Sequence, residues 1–401
     1  MDRLRNPYAP GAGLQPPELA GRDALLADAS TDMDRVLAGR PAKGRMLIGL
    51  RGVGKTVLLN RLRLGAEGKG FQTLRIEAPE GASLPALLTP ELRHLVHTLD
   101  LRRRAGRTLR QGASALAGFA KAFKVNVGPF GFGVDLAPGE ADSGDIEQDL
   151  PRLLAIVAQA AADRNTAIAL FVDEVQYLAA EELGAVIVGC HEIAQRNLPF
   201  LFVGAGLPQV VALSGRAKSY AERLFDYPSV GPLDPADARA ALLKPARAEG
   251  ADFEPDAVEL ILAGAQNYPY FIQEWGFQVW NAAPASPVTA GMVETATPDV
   301  LAHLDGNFFR VRFDRLTPLE QKYLRAMAEL GPGPHATGQI AETLGVGTSA
   351  VASVRQRLIT KGMIWSQRHG ETAFTVPLFD GFMKRQMPEL VPHVPQRRRG
   401  T

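Results

Sequence analysis

The residues of this chain best suited to do chemistry fall in two short stretches. The first runs Met46-Leu-Ile-Gly49-Leu-Arg51-Gly52-Val53-Gly54-Lys55-Thr56-Val57-Leu-Leu. It fits G-x-x-x-x-G-K-[ST], the spacing of a phosphate-binding loop set between a strand and a helix. Glycines let the backbone turn tightly and bring its N–H groups against a polyphosphate, and the following helix adds the positive end of its dipole. Lys55 is the side chain for β- and γ-phosphate oxygens, and Thr56 offers its hydroxyl to Mg²⁺. Gly49, Arg51, Gly52, Val53, Gly54 and Val57 complete the lining. The second stretch, Ile168-Ala-Leu-Phe-Val172-Asp173-Glu174, ends an apolar strand in two carboxylates. Such a pair can hold Mg²⁺ with its first member, Asp173, and polarise an attacking water with its second, Glu174. An apolar strand followed by Asp-Glu is a weak signal alone and a strong one downstream of a phosphate loop. The bland alternatives are a glycine-rich turn and two solvated acids.

Both stretches require strands to hold them. Met46–Ile48, Phe71–Ile76, Ala167–Val172 and Pro199–Val203 read as strands. Asp23–Leu37, Thr56–Leu62, Pro85–Leu101, Asp149–Ala162 and 181–196 read as helices between or beside them. Strands alternating with helices predict an α/β fold: a doubly wound parallel sheet with ligands at the carboxyl ends of its strands. Lys124–Leu136 alternates in hydropathy and breaks at Gly128-Pro129, which reads as an inserted β-hairpin over about 124–136. Arg102, Arg103, Arg104, Arg107 and Arg110 read first as a solvated helix face and second as a nucleic-acid contact.

From Pro232 the texture becomes helical. Asp234-Pro235 and Glu254-Pro255 mark helix starts with proline at the first position, and residues 234–310 predict a helical lid. Tyr268, Tyr270, Phe271, Trp275, Phe277 and Trp280 concentrate there, core packing being the default reading. Thr317-Pro-Leu-Glu320 is a capping-box spacing. After it come helix 318–330, a helical stretch 338–344, the turn Gly345-Val-Gly347, helix 349–361 and a strand–turn–strand to Val376, the pattern of a winged helix. The expected division is an extended segment 1–20, a nucleotide-binding core 21–232, a lid 233–312, a winged helix 313–388 and a basic tail 389–401.

Length allows two to three domains. With 44 Lys and Arg against 43 Asp and Glu, the net charge is +1, so binding to nucleic acid would have to come from a local patch. The single cysteine, Cys190, excludes an internal disulfide and a cysteine-based zinc site and reads as an inert buried thiol. The seven histidines show no metal-ligand spacing. No membrane span or signal peptide is visible, which predicts a cytoplasmic protein with no membrane partner.

Lys55-Thr56, Asp173-Glu174, the segment Pro16-Pro-Glu-Leu19-Ala-Gly21-Arg22, a helical lid and a C-terminal winged helix together resemble an AAA+ ATPase. The similarity is strongest to the origin-recognition initiator-like and archaeal-type group, which shades into STAND signalling ATPases. The resemblance implies ATP and Mg²⁺ as ligands, with adenine held near Leu19, Gly21 and Arg22. It also implies a γ-phosphate-sensing role for Gln176 and an arginine finger acting on a neighbouring subunit, Arg223 being the candidate and Arg216 and Lys218 its rivals. Two departures stand out. The strand ending Gly204-Ala-Gly206 lacks the family's polar sensor residue, and the lid helix opening Tyr268-Pro-Tyr-Phe-Ile-Gln lacks its arginine. Both point to slow turnover. In a winged helix the second helix reads DNA, which nominates Thr348, Ser349, Ser353 and Arg357 for the groove and Arg355, Lys361 and Arg368 for the backbone. The expected function is a Mg²⁺-dependent ATPase that couples nucleotide state to duplex DNA and is completed in trans in a homo-oligomer. The alternative is a nucleotide-gated switch in which ATP binding alone matters and the winged helix meets a protein.

Overall fold

The two continuous apolar runs of the sequence become two of the three inner strands of a five-stranded sheet. The computed structural model describes residues 1–11, 13–101, 107–126, 141–366, 368 and 370–390, so the expected hairpin at 124–136 and Arg102, Arg103 and Arg104 lie largely outside the described residues. Contacts divide the chain into an α/β unit, Gly21–Gly49 with Gly54–Val230, and a mainly helical unit comprising Met1–Ala20, Leu50–Val53 and Gly231–Thr401.

The α/β unit contains, in chain order, α1 (Asp23–Leu37), β1 (Gly44–Ile48), α2 (Lys55–Gly68), β2 (Gln72–Glu77), α3 (Leu84–Leu101), α4 (Arg107–Ala122), α5 (Ile146–Ala162), β3 (Ile168–Asp173), α6 (Ala180–Gln195), β4 (Phe200–Gly206), α7 (Gln209–Ala217), α8 (Ala221–Leu224) and β5 (Phe225–Asp226). The sheet order is β2-β3-β4-β1-β5 and its pairings are parallel, the doubly wound α/β fold that the alternation of strands and helices predicts. Every residue of β3 and β4 is buried, because helices cover both faces of a central parallel strand. At the edge, β2 alternates instead: Leu74 and Ile76 are buried while Arg75 and Glu77 are exposed.

Register decides what the sheet presents at its carboxyl end. Val172 of β3 lies opposite Gly204 of β4, and Ile48 of β1 lies opposite Gly206. The Gly49 N–H donates to the Gly206 carbonyl at 3.1 Å. The phosphate loop therefore leaves β1 one strand away from the Asp173-Glu174 pair. Cys190 lies half-buried on α6, and desolvation pushes its thiol up to about 12, so it is protonated at neutral pH.

In the helical unit, α9 (Pro235–Ala248), α10 (Pro255–Ala265) and α11 (Pro269–Ala282) each begin with proline at the first position, where the missing N–H costs nothing. Then follow α12 (Ala290–Leu304), α13 (Arg310–Phe313), α14 (Pro318–Glu329), β6 (His335–Ala336), α15 (Thr337–Thr343), α16 (Thr348–Thr360), β7 (Ile364–Trp365), β8 (Glu371–Phe374) and α17 (Phe379–Gln386). The three short strands form a sheet of order β6-β8-β7. One apolar core runs from Leu233 through Phe271, Trp275 and Phe309 to Met383, so most of the aromatic concentration is packing. The proline-rich amino terminus is tied into this unit: the Tyr8 hydroxyl donates to the Leu242 carbonyl at 2.6 Å, and the Trp280 indole donates to the Asp2 carbonyl at 2.8 Å.

Candidate nucleotide site

Two glycines of the phosphate loop, Gly52 and Gly54, take φ values of +82° and +87°, a conformation that strains side-chain-bearing residues. Gly54 is also the residue that caps α2, and it brings no side chain to the helix start. The N-terminus of α2 thus presents backbone and dipole rather than a capping oxygen. Lys55, buried at the head of this helix, curls back so that its ammonium donates to the Gly49 carbonyl at 2.9 Å. Within the helical unit, Leu50–Val53 make backbone contacts: the Arg51 N–H donates to the Thr375 carbonyl at 3.0 Å, and the Tyr270 N–H donates to the Gly52 carbonyl at 3.2 Å.

The Thr56 hydroxyl donates to Asp173 Oδ2 at 2.7 Å. These residues are 117 positions apart in sequence and meet because β3 and β1 flank β4. Asp173 is 2% exposed. Burial pushes its carboxyl above the usual range; the neighbouring Glu174 charge adds to the effect, while the Thr56 hydroxyl, the Glu174 N–H and Lys55 oppose it. A desolvated carboxylate beside a hydroxyl is a pair of hard oxygen donors short of positive charge, and this fits Mg²⁺.

Glu174 follows with φ +54°, a left-handed conformation. Its N–H donates to Asp173 Oδ1 at 2.9 Å. Gln176, buried two residues on, donates through its amide nitrogen to Glu174 Oε2 and accepts at its amide oxygen from the Leu207 N–H at 3.0 Å. The sequence reading nominated Gln176 for phosphate and missed this bridge. The sequence carries no signal for it beyond a glycine inside a strand; in the structure a Cβ at Gly206 would lie 2.8 Å from Gln176 Oε1.

The other nominated residues are dispersed. Leu19 belongs to the helical unit; Gly21 and Arg22 open the α/β unit, Gly21 at φ +67°. Val57 lies in the first turn of α2. Arg223 is exposed on α8 and lines a cavity of about 340 Å³ with Arg40, Lys43, Gly44 and Phe200. Gly44 and Phe200 begin β1 and β4, so Arg223 sits at the opposite end of the sheet from Lys55. Of its rivals, Lys218 is paired with Glu147 at 3.0 Å, and Arg216 lies in the last turn of α7.

On α16, Thr348, Ser349, Ser353 and Arg357 are exposed, over a buried face of Val351, Val354 and Leu358. The cations near them are largely engaged. Lys361 donates to Glu320 Oε2 at 2.8 Å and to the Arg315 carbonyl at 3.0 Å. Arg357 reaches Glu320 Oε1 at 3.3 Å, and Arg355 reaches Ser366 Oγ at 3.0 Å. Arg368 is exposed.

Residues 18–203 match the AAA ATPase domain, and residues 306–383 match a domain of unknown function (DUF8462). No curated protein matches in sequence. Among solved structures, the Walker-type ATPase PABY2304 of Pyrococcus abyssi is similar at 15% identity and a TM-score of 0.56, over 92% of this chain and 97% of that one. The ORC2 protein of Aeropyrum pernix, solved in ADPNP and ADP complexes, is similar at 16% identity and a TM-score of 0.50, over 95% and 98%. The α/β unit has the fold of a P-loop ATPase, and the AAA ATPase match supports nucleotide-dependent ATPase chemistry. No helix among the described residues is long and apolar enough to cross a membrane.

Proposed function

We propose that the chain is a Mg²⁺-dependent ATPase whose turnover is slow and whose nucleotide state is transmitted to a C-terminal winged helix. The observation that carries this reading is the 2.7 Å contact of Thr56 with Asp173 beneath a buried Lys55. It joins the phosphate loop to the acidic strand end in one set of donors. Lys55 and the first N–H groups of α2 take the phosphate charge. Thr56 and Asp173 would hold Mg²⁺, which when bound would neutralise charge on the terminal phosphates. Glu174 accepts a proton from the attacking water as the bond to the terminal phosphorus forms and the phosphoanhydride breaks. Little covalent chemistry falls to the protein, so positioning and electrostatics supply the acceleration. Steady-state ATP hydrolysis tests the reading. Glu174→Gln should retain nucleotide and lose about 10²- to 10⁴-fold in turnover, whereas Lys55→Ala should lose nucleotide affinity. Equal turnover in wild type and Glu174→Gln would refute it.

The winged-helix assignment for 313–388 rests on the order α14, β6, α15, α16, β7, β8, with α16 as the reading helix. Engagement of Arg355, Arg357 and Lys361 inside the unit favours a second reading, in which this surface meets a protein rather than DNA. Anisotropy titration with duplex DNA separates the two. Groove binding should fall steeply with salt and be lost in a Ser349→Glu/Ser353→Glu variant. No binding at low salt would support the protein partner.

A further inference from the structure

We infer that Gln176 is the positioning residue for Glu174, supplying from the turn after β3 the polar group that β4 lacks. This rests on the ATPase reading and extends it.

Three observations carry the inference. Gln176 is 8% exposed, and both ends of its amide are used: the oxygen on the Leu207 N–H at 3.0 Å, the nitrogen on the Glu174 carboxylate. An amide fixed at one end by backbone is a rigid donor at the other, so it limits where the Glu174 carboxylate can point. Secondly, β4 is shaped to admit it. A Cβ on Gly206 would lie 2.8 Å from Gln176 Oε1 and 2.6 Å from Val210 Cγ2, both inside ordinary contact distance. Glycine at 206 therefore makes room for the Gln176 amide. Gly206 also accepts the Gly49 N–H at 3.1 Å, which places the amide's anchor beside the start of the phosphate loop. Thirdly, Glu174 sits in the left-handed region at φ +54°, a conformation that persists in a residue of this type only when its surroundings enforce it. The bonds from Gln176 to its side chain and from its own N–H to Asp173 Oδ1 at 2.9 Å do so.

The absence of a polar side chain at Gly204-Ala-Gly206 is then a relocation of a polar group rather than a loss. Gln176 does not bind the nucleotide in this arrangement; it acts through Glu174.

The experiment compares wild type, Gln176→Met, Gly206→Ala and the double variant for kcat, KM for Mg-ATP and nucleotide Kd, with thermal melting as a folding check. Methionine keeps the volume and loses both hydrogen bonds; alanine at 206 leaves Gln176 in the sequence and displaces its amide. Each single variant should lower kcat by about 10- to 100-fold, part of the general-base contribution, while KM and Kd stay within about threefold of wild type. Because both changes break one arrangement, the double variant should lose no more than the worse single one. Wild-type kcat in Gln176→Met, a loss confined to KM, or multiplicative losses in the double variant would each overturn the inference. Should Gly206→Ala fail to fold, the kcat–KM split of Gln176→Met decides alone. A wild type that binds ATP without turning it over would instead defeat the ATPase reading, and this role with it.

Discussion

Asp173 is held in a conflict that the folded chain alone does not resolve. Burial disfavours its charge, and Glu174 beside it adds to the penalty. A carboxyl whose folded pKa is raised costs stability wherever it is ionised, and the cost fades as pH falls through that raised value and is gone below the ordinary carboxylate range. Replacing it by asparagine removes the cost of the charge and keeps an acceptor for the Thr56 hydroxyl, at the smaller expense of the acceptor that takes the Glu174 N–H. Asp173→Asn should therefore melt higher than wild type in chelator. The same variant should gain little further stability from Mg²⁺ added with nucleotide, whereas wild type gains by linkage. Scanning calorimetry with and without Mg²⁺ checks both halves. A lower melting temperature for Asp173→Asn in chelator would mean that the acid is structural. Gly54 poses the opposite demand. Its φ of +87° leaves open space where a Cβ would go, so Gly54→Ala is strained by backbone conformation alone. It should lose about 1 kcal/mol of stability and more than that in nucleotide affinity, measured by calorimetric titration.

At the scale of elements, α14 and α16 are joined by one enclosed carboxylate. Glu320 closes the capping box of α14 with Thr317 and receives Lys361 and Arg357 from α16 and the residue beyond it. Burial raises its pKa, but the Lys361 hydrogen bond and the Thr317 N–H and hydroxyl outweigh burial and hold the carboxyl below the usual range. A depressed carboxylate pKa gives stability that is present above the unfolded value and lost as pH falls through the folded one. The α14–α16 region should accordingly loosen on acidification below about pH 4, at the lower edge of ordinary carboxylate titration. Glu320→Ala should cost about 1–3 kcal/mol, combining a lost cap with two half-exposed cations left without their acid. Amide hydrogen exchange of α16 reports it, and unchanged protection in Glu320→Ala would refute it. This is also where the legibility of the sequence ends. Helix α1 was readable to its last residue, and β3 and β4 from their unbroken apolar runs, because burial on both faces writes itself into composition. The two residues of β5 and of β6 are too short for any period to declare, and α4 and α7 carried no start signal strong enough to separate them from loop. Long-range polar pairs leave the faintest trace of all. Nothing about Glu320 foretells Lys361, and Gln176 looks like any glutamine after a strand until Gly206 is seen across from it. Thr56 and Asp173 were legible only because their motifs have fixed spacing.

For the molecule as a whole, a net charge of +1 gives no long-range field to gather partners, so assembly must rest on specific faces. Arg223 supplies a test. It is exposed at the amino end of β1 and β4, across the sheet from Lys55, and cannot serve the nucleotide of its own α/β unit. If it completes the site of a second copy, ATP turnover per chain should rise with protein concentration, and Arg223→Ala should lower it by the amount expected of a charge-stabilising arginine, about 10³-fold or more. The decisive form is a mixture. Glu174→Gln chains lack the base but keep Arg223, while Arg223→Ala chains lack the arginine but keep the base. Neither turns over alone. When the two meet, half of the mixed interfaces pair an intact Glu174 with an intact Arg223, so activity should reappear on mixing, to a fraction of wild type set by the assembly's size. Sedimentation with a non-hydrolysable ATP analogue should show larger species under the same conditions. Silent mixtures, with a monomer in both nucleotide states, would assign Arg223 to the surface and leave the site complete within one chain.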